Sequence, residues 1–217
     1  NDLEANELFF LDITATTERR EPDFERIRHI VSEAFMPVGY GGGVRASAEA
    51  GRLFQLGVEK VAITTAAQES PSLITEMANE YGSQSVVVGM DVVRNWRGRL
   101  SLVTRCGQQK HKQNVVEFAK QMEDRGAGEL FVNCINRDGK QLGYDLDLIA
   151  VVSEAVNIPV VGCGGAGSLQ HLGEATRAGA SAAAAGSLFV FSGPHNAVLI
   201  NYPSRQELVR VFGNDSG

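Results

Sequence analysis

The chain has 217 residues, with 20 Lys+Arg against 26 Asp+Glu and a formal net charge of -6. Hydrophobic residues at 43% and charged residues at 21% are the balance of a folded soluble domain and not of a disordered chain, and the acidic excess argues against bulk nucleic-acid binding. No apolar run reaches the ~18 residues of a membrane span, and the three scattered cysteines Cys106, Cys134 and Cys163 argue against a disulfide framework or a zinc site.

Apolar runs alternate with amphipathic stretches along the chain, and the order predicts strand then helix throughout. Glu7–Ile13 precedes the helical Phe24–Ala34, Pro37–Tyr40 precedes Ser47–Leu56, and Lys60–Thr64 precedes Ser72–Tyr81. Ser85–Asp91 comes next, then an inserted turn and strand over Trp96–Arg105, then the helix Gln113–Arg125. Glu129–Cys134 precedes Asp145–Ala155, Pro159–Cys163 precedes Leu169–Ala178, and Ser181–Ala185 precedes a last helix near 204–212. Ser47, Ser168 and Ser204 are N-cap candidates, and Gly57, Gly82, Gly126 and Gly179 close helices. The strands are apolar at consecutive positions, as buried parallel strands are. No linker divides the chain, so a single domain over 1–217 is expected.

The chain also aligns with itself at an offset of 122: Glu7-Leu8-Phe9 falls on Glu129-Leu130-Phe131, Gly42-Gly43 on Gly164-Gly165, Gly57 on Gly179, and Thr64-Thr65 on Gly186-Ser187. This predicts an α/β (βα)8 TIM barrel made of two repeated half-barrels. At that offset the first half lacks a partner for Ser85–Asp91. The first βα unit is therefore expected to be missing from this chain, leaving two unpaired sheet edges.

Glycine turns follow two of the strands, at Gly41-Gly42-Gly43 and at Gly164-Gly165-Ala166-Gly167. Thr65 and Ser187 take equivalent places after the next strand of each half. One reading makes these turns tight βα connections and nothing more. The other makes them two phosphate cradles, because glycine lets backbone N–H groups approach an anion. Asp91 ends a buried strand, at the rim where such barrels keep their chemistry, and is a candidate general acid or base. Asp12 and Asp138 are further rim candidates, against the alternative of loop carboxylates bonded to backbone. Glu7, Lys60 and Glu129 begin strands and so share the opposite face, as a salt-bridge network or as a gate. Cys134 and Cys163 read as small packing residues, and His29 and His171 as surface residues on helices. His111 and His195 complete a scattered set without metal spacing, and no metal or cofactor is expected.

At these residues the sequence resembles the cyclase subunit of imidazole glycerol phosphate synthase. The likeness is carried by Thr64-Thr65-Ala66-Ala67, by Gly82-Ser83-Gln84 leading into Asp91, by Arg137-Asp138-Gly139 with Gly143-Tyr144-Asp145, and by Gly164-Gly165-Ala166-Gly167. The resemblance implies a barrel that takes ammonia from a glutaminase subunit docked on its N-terminal face and uses it on a bisphosphorylated ribulosyl substrate. It makes Asp91 a catalytic aspartate and Asp12 an assisting one. It assigns Gly43, Thr64 and Thr65 to one phosphate site, and Asp138, Gly139, Gly165 and Ser187 to the other; Gly42, Gly164 and Gly186 join them as candidates from the glycine turns and the repeat. It makes Glu7, Lys60 and Glu129 an ammonia gate. Three positions depart from the pattern: Thr64 stands for the usual Asn, Asn136 for Asp, and Cys163 for a frequent Ser. Phe35-Met36-Pro37, Tyr40 and the stretch 189–204 look more like a paralogous group linked to amidation of surface-polysaccharide sugars.

The resemblance leads to a cytoplasmic synthase subunit with a glutaminase partner and a phosphorylated small-molecule substrate. Without the first strand, and the second acid–base group it would carry, that activity is expected to be weak or absent. The competing reading is a truncated, catalytically impaired barrel that binds phosphate or a partner, with homo-oligomers formed through its open edges. Another phosphate-binding barrel, such as a tryptophan-pathway isomerase, shares the fold but leaves the Asp138-Gly139 loop unexplained.

Overall fold

The computed structural model describes residues 6–192, 197–198 and 202–213. The first half runs β1 (Leu8–Leu11), α1 (Phe24–Glu33), β2 (Val38–Gly41), α2 (Ser47–Gln55), β3 (Lys60–Ile63), the short α3 (Thr65–Glu69) and α4 (Ser72–Tyr81). Then come β4 (Val86–Arg94), a ribbon of β5 (Leu100–Thr104) and β6 (Gln109–Lys110), and α5 (Val115–Asp124). The remainder is β7 (Glu129–Cys134), α6 (Leu146–Ser153), β8 (Val160–Cys163), α7 (Leu169–Arg177), β9 (Ala182–Ala183), α8 (Ser187–Val190), the β10 (Phe191–Ser192) and β11 (Ala197–Val198) pair, and α9 (Arg205–Phe212).

Parallel pairing gives the order β1-β2-β3-β4-β7-β8-β9, while β5 and β6 extend from β4 as an antiparallel ribbon. The sheet curls, because β1 and β7 touch across its inner face. The Phe9 and Phe131 rings lie 4.5 Å apart between centroids, although three strands separate β1 from β7 in the sheet. Side-chain alternation explains the curl. On β7, Leu130, Val132 and Cys134 are buried in the main core cluster with helix residues Phe118, Met122 and Leu148, whereas Glu129, Phe131 and Asn133 take the inner face. The helices obey the matching rule on the outside. α5 buries Val115, Phe118, Ala119 and Met122, the spacing of one helical stripe, and Asn114 caps it by accepting from the Val116 and Glu117 N–H groups.

This is the α/β TIM-barrel architecture expected from the sequence. The repeat is visible in the backbone, since Gly57 and its counterpart Gly179 both have left-handed φ, +96° and +102°. Among the described residues β1 pairs only with β2 and β9 only with β8, so both edges of the parallel sheet are open. Leu8 and Leu11 on β1 are exposed beside one of them.

Some local expectations change. Ser168 and Ser204 cap their helices, but α2 starts at Ser47 itself. Glu49 takes the capping role by accepting from the Arg45 and Ala46 N–H groups, which frees the Ser47 hydroxyl to donate to Glu80. His29 is exposed as expected, whereas His171 is half-buried, its Nδ1 accepting from the Gly167 N–H at 3.1 Å. His195 lies outside the described residues.

Candidate active site

Parallel strands put all their C-terminal ends on one rim, so Asp91, Asp12, Thr65 and Ser187 share a face of the barrel. Asp91 is on the inner row of β4. Its register partner on β7 is Asn133, whose partner on β8 is Cys163. The Asn133 amide donates to Asp91 Oδ1 at 2.9 Å. Burial pushes the Asp91 carboxyl above its ordinary value; the Asn133 hydrogen bond opposes this and the nearby Asp138 charge adds to it. The same burial drives the Cys163 thiol up strongly, with Asp91 and Asp138 contributing, so Cys163 behaves as a packing residue.

Asp12 is arranged differently. Its carboxylate accepts from the Thr14 and Ala15 N–H groups, from the Thr14 hydroxyl, and from Arg20 at 3.1 Å. Burial would raise its pKa, but the bonds from Ala15, Thr14 and Arg20 together hold it below the ordinary value. Asp12 is thus a fixed carboxylate that shapes the loop after β1. That loop needs the first glycine turn. A Cβ on Gly42 would stand 2.5 Å from the Asp12 carbonyl, and one on Gly43 would stand 2.6 Å from the Arg20 carbonyl. Close packing alone therefore requires both glycines.

Gly43 and Thr65 line a cavity of about 210 Å³, and with them stand Arg19, Arg45, Arg105 and Glu69. The sequence reading singled out none of these charged residues. Thr64 leans inward, so that a Cβ on Gly89 of β4 would meet its Oγ1 at 2.2 Å. On the other side, Gly164 and Gly165 are left-handed at +76° and +113°. A Cβ on Gly164 would fall 2.3 Å from Asn133 Oδ1, so this turn packs onto the residue that holds Asp91. The Gly143 N–H donates to the Gly165 carbonyl at 2.8 Å, which ties the loop carrying Asp138 and Gly139 to the turn. Asp138 and Gly139 are exposed on that loop. Gly186 meets nothing that would exclude a Cβ, and the half-buried Ser187 begins α8.

Two more residues hold the rim. Arg94, at the end of β4, makes a two-pronged contact with Asp145, its Nε 2.6 Å from Oδ2. Asp145 is buried and also caps α6 by accepting from the Leu148 N–H. Asn133 could have been found from its parity with Glu129 and Phe131 on one strand. Arg94 gave no such signal.

The opposite end of the barrel is closed by charge. Lys60 Nζ donates to Glu7 Oε2 and Glu129 Oε2, each at 2.9 Å. At Lys60 burial is outweighed by the two carboxylates and the pKa is raised; at Glu129 burial outweighs Lys60 and the pKa is raised as well. The pattern is that of one ammonium shared by two carboxylates. Glu7 Oε1 and Glu129 Oε1 are buried without a hydrogen-bond partner among the described residues. The structure thus assembles the three residues that the sequence put on this face.

The family described as "Histidine biosynthesis protein" matches residues 1–195. A protein of Pseudomonas aeruginosa named "Putative imidazole glycerol phosphate synthase subunit hisF2" is 44% identical over 209 residues, covering 96% of this chain and 83% of its own length. The "Imidazole glycerol phosphate synthase subunit HisF" of Thermobifida fusca is 41% identical over 192 residues, 86% of this chain and 75% of its own. That of Alkaliphilus metalliredigens is 40% identical over 193 residues, 88% and 77%. With this rim, this floor and these matches, the chain belongs to the histidine biosynthesis protein family, of the HisF type.

Proposed function

We propose that the chain is the synthase barrel of a two-part glutamine amidotransferase, which adds ammonia from a glutaminase subunit to a phosphorylated sugar-type substrate. One observation carries the reading: Asp91 is a half-buried carboxyl with a raised pKa, lying on the rim between two glycine-lined loops. A rim carboxyl held above its ordinary value is a better proton acceptor than a free one and can return the proton, as an elimination–cyclisation requires. Asn133 orients it. The two ends of the substrate lie on Gly42, Gly43, Thr64 and Thr65 on one side, and on Asp138, Gly139, Gly164, Gly165, Gly186 and Ser187 on the other. Asp12 assists by fixing the loop that walls the first of these. Ammonia enters past Glu7, Lys60 and Glu129. The relatives' names call them subunits of a synthase, which supports a partner subunit. Three free cysteines suit the reducing cytoplasm, and no described helix is long and apolar enough to cross a membrane.

The test is ammonia-dependent turnover of the bisphosphorylated ribulosyl substrate, with and without the glutaminase subunit, by the wild type and by Asp91→Asn. Turnover that Asp91→Asn leaves intact would sink the role of Asp91. Amidation of a phosphorylated sugar, with the ribulosyl compound untouched, would shift the acceptor to that of the paralogous group. A second reading is ligand binding without turnover. It is favoured by the solitude of Asp91, whose hydrogen-bond partner among the described residues is Asn133 alone. Phosphate binding with no turnover of either substrate supports this second reading.

A further inference from the structure

The cavity beside Gly43 and Thr65 has a charged wall that the sequence motifs did not mark. Its guanidiniums come from Arg19, Arg45 and Arg105, and one carboxylate, Glu69, opposes them. That leaves an excess of two positive charges. A phosphate monoester carries about -1.5 to -2 at neutral pH and would neutralise it.

Arg105 reaches this wall from the turn between β5 and β6. The ribbon doubles back over the end of β3, and its tip is fixed at several points. The Arg105 N–H donates to Thr65 Oγ1 at 3.3 Å, the Arg105 guanidinium donates to Glu69 Oε1 at 2.7 Å, and the Cys106 thiol donates to the Ile13 carbonyl at 3.2 Å. Arg105 and Cys106 are both left-handed, at φ +53° and +55°, and are followed by Gly107 at +84°. Successive non-glycine residues in that region are costly and persist where the surroundings hold them. The tip is therefore a held feature that presents one guanidinium to the cavity.

The Arg105–Glu69 pair is well exposed, 41% and 43% at its side chains, so it contributes little by itself. A guanidinium facing a phosphoryl group makes paired, charge-assisted bonds that are stronger. We propose that Arg105 is a ligand-binding residue of this cavity and that Glu69 is its exchange partner. A phosphoryl end entering the cavity takes over the guanidinium that Glu69 holds, and Glu69 sets the selectivity by opposing anions that Arg105 does not neutralise. The proposal rests on the phosphate reading of Gly43 and Thr65.

The experiment is a 31P NMR titration of the whole chain with inorganic phosphate, at constant ionic strength in chloride. Arg105→Gln and Glu69→Gln remove the same exposed ion pair, so thermal melts should show the same small change for both. Their effects on binding should have opposite signs. Arg105→Gln should weaken phosphate about tenfold, the loss of one charge-assisted pair, and Glu69→Gln should tighten it about threefold or more. If both variants weaken binding equally, the pair merely ties the ribbon to α3 and the proposal is overturned. If Thr65→Val weakens phosphate while Arg105→Gln does not, the cradle stands and the role of Arg105 falls. If phosphate fails to bind the wild type, both fall.

Discussion

Replacing Lys60 with Met asks whether the barrel floor is one electrostatic unit. Lys60 Nζ is 2.9 Å from a carboxylate oxygen of both Glu7 and Glu129. Methionine keeps the apolar stem and removes the charge, leaving two carboxylates to face each other. The Glu129 side chain is only 13% exposed, whereas Lys60 and Glu7 are at 26% and 28%. Breaking a fully buried pair by removing one partner costs about 3–5 kcal/mol; partial exposure screens this, so we expect about 2 kcal/mol. In a domain of this size that is about 4–8 °C in Tm. The loss must depend on pH. Burial already holds Glu129 above its ordinary 4.5, although Lys60 pulls it down. Without Lys60 it rises further. A carboxyl whose folded pKa exceeds its unfolded one adds stability that is full below the unfolded value and is lost as pH rises through the folded one. The deficit of Lys60→Met, read by urea unfolding, should therefore be largest near about pH 8 and shrink toward about pH 5. The double variant Lys60→Met/Glu129→Gln should recover most of it. A deficit constant across pH, or a double variant no better than the single, would refute the reasoning.

Asp91→Asn should abolish turnover and raise stability. The half-buried carboxylate costs stability above its ordinary 3.8 because its folded pKa is raised, and Asn removes that cost while still accepting from Asn133. The gain should be about 1 kcal/mol, or about 2–4 °C in Tm near neutral pH; a lower Tm would contradict it. Arg94→Met leaves Asp145, 5% exposed, without its cation and should cost about 3 kcal/mol in urea unfolding. Burial raises the Asp145 pKa, but Arg94 and the Leu148 N–H lower it more, so its contribution is present above the ordinary 3.8 and fades as pH falls through the lower folded value. The Arg94→Met deficit should accordingly shrink in acid. Gly39→Ala puts a Cβ within 2.3 Å of the Phe9 ring and should cost about 2 kcal/mol by overpacking, with Phe9→Leu restoring part of it.

What could be read from the sequence was whatever strand position fixes. Glu7, Lys60 and Glu129 are 53 and 69 residues apart in the two ion pairs they form, yet each stands at the start of a strand run, and that sets its depth in the barrel. Asp91 was legible for the converse reason, at the end of one. Arg94 was not, because β4 runs on to Arg94, past the Asp91 at which its apolar run stops. Its partner Asp145 is 51 residues away on another loop. Arg105 was hidden by the ribbon. Trp96–Arg105 reads as an inserted turn and strand, but the chain turns back after Thr104 through left-handed Arg105 and Cys106 into a further strand. Turn rules look for glycine or asparagine in such places. The Glu49 cap escaped for a different reason: it is local, made to the Arg45 and Ala46 N–H groups, but Ser47 stands where an ordinary cap is sought.

The register of β4 on β7 joins these features into one argument. Val87 pairs with Glu129, Gly89 with Phe131, and Asp91 with Asn133, so the shared inner row passes from a charged floor, through a packed aromatic level, to an acid rim. Burial raises the carboxyl at each end of this row. The partners differ. Glu129 is held by an ammonium, which favours its charged form and makes it part of a permanent network. Asp91 is held by a neutral amide, which positions it and opposes the rise from burial without adding a cation. On a single pair of strands, then, the choice between a cation and an amide as neighbour separates the carboxylate of an ion-pair network from the one we propose to move a proton. Strand length sets the separation of the two, with the Phe9–Phe131 contact at the level between them, and the charge acting on Asp91 at the rim is that of Asp138 and not of Lys60.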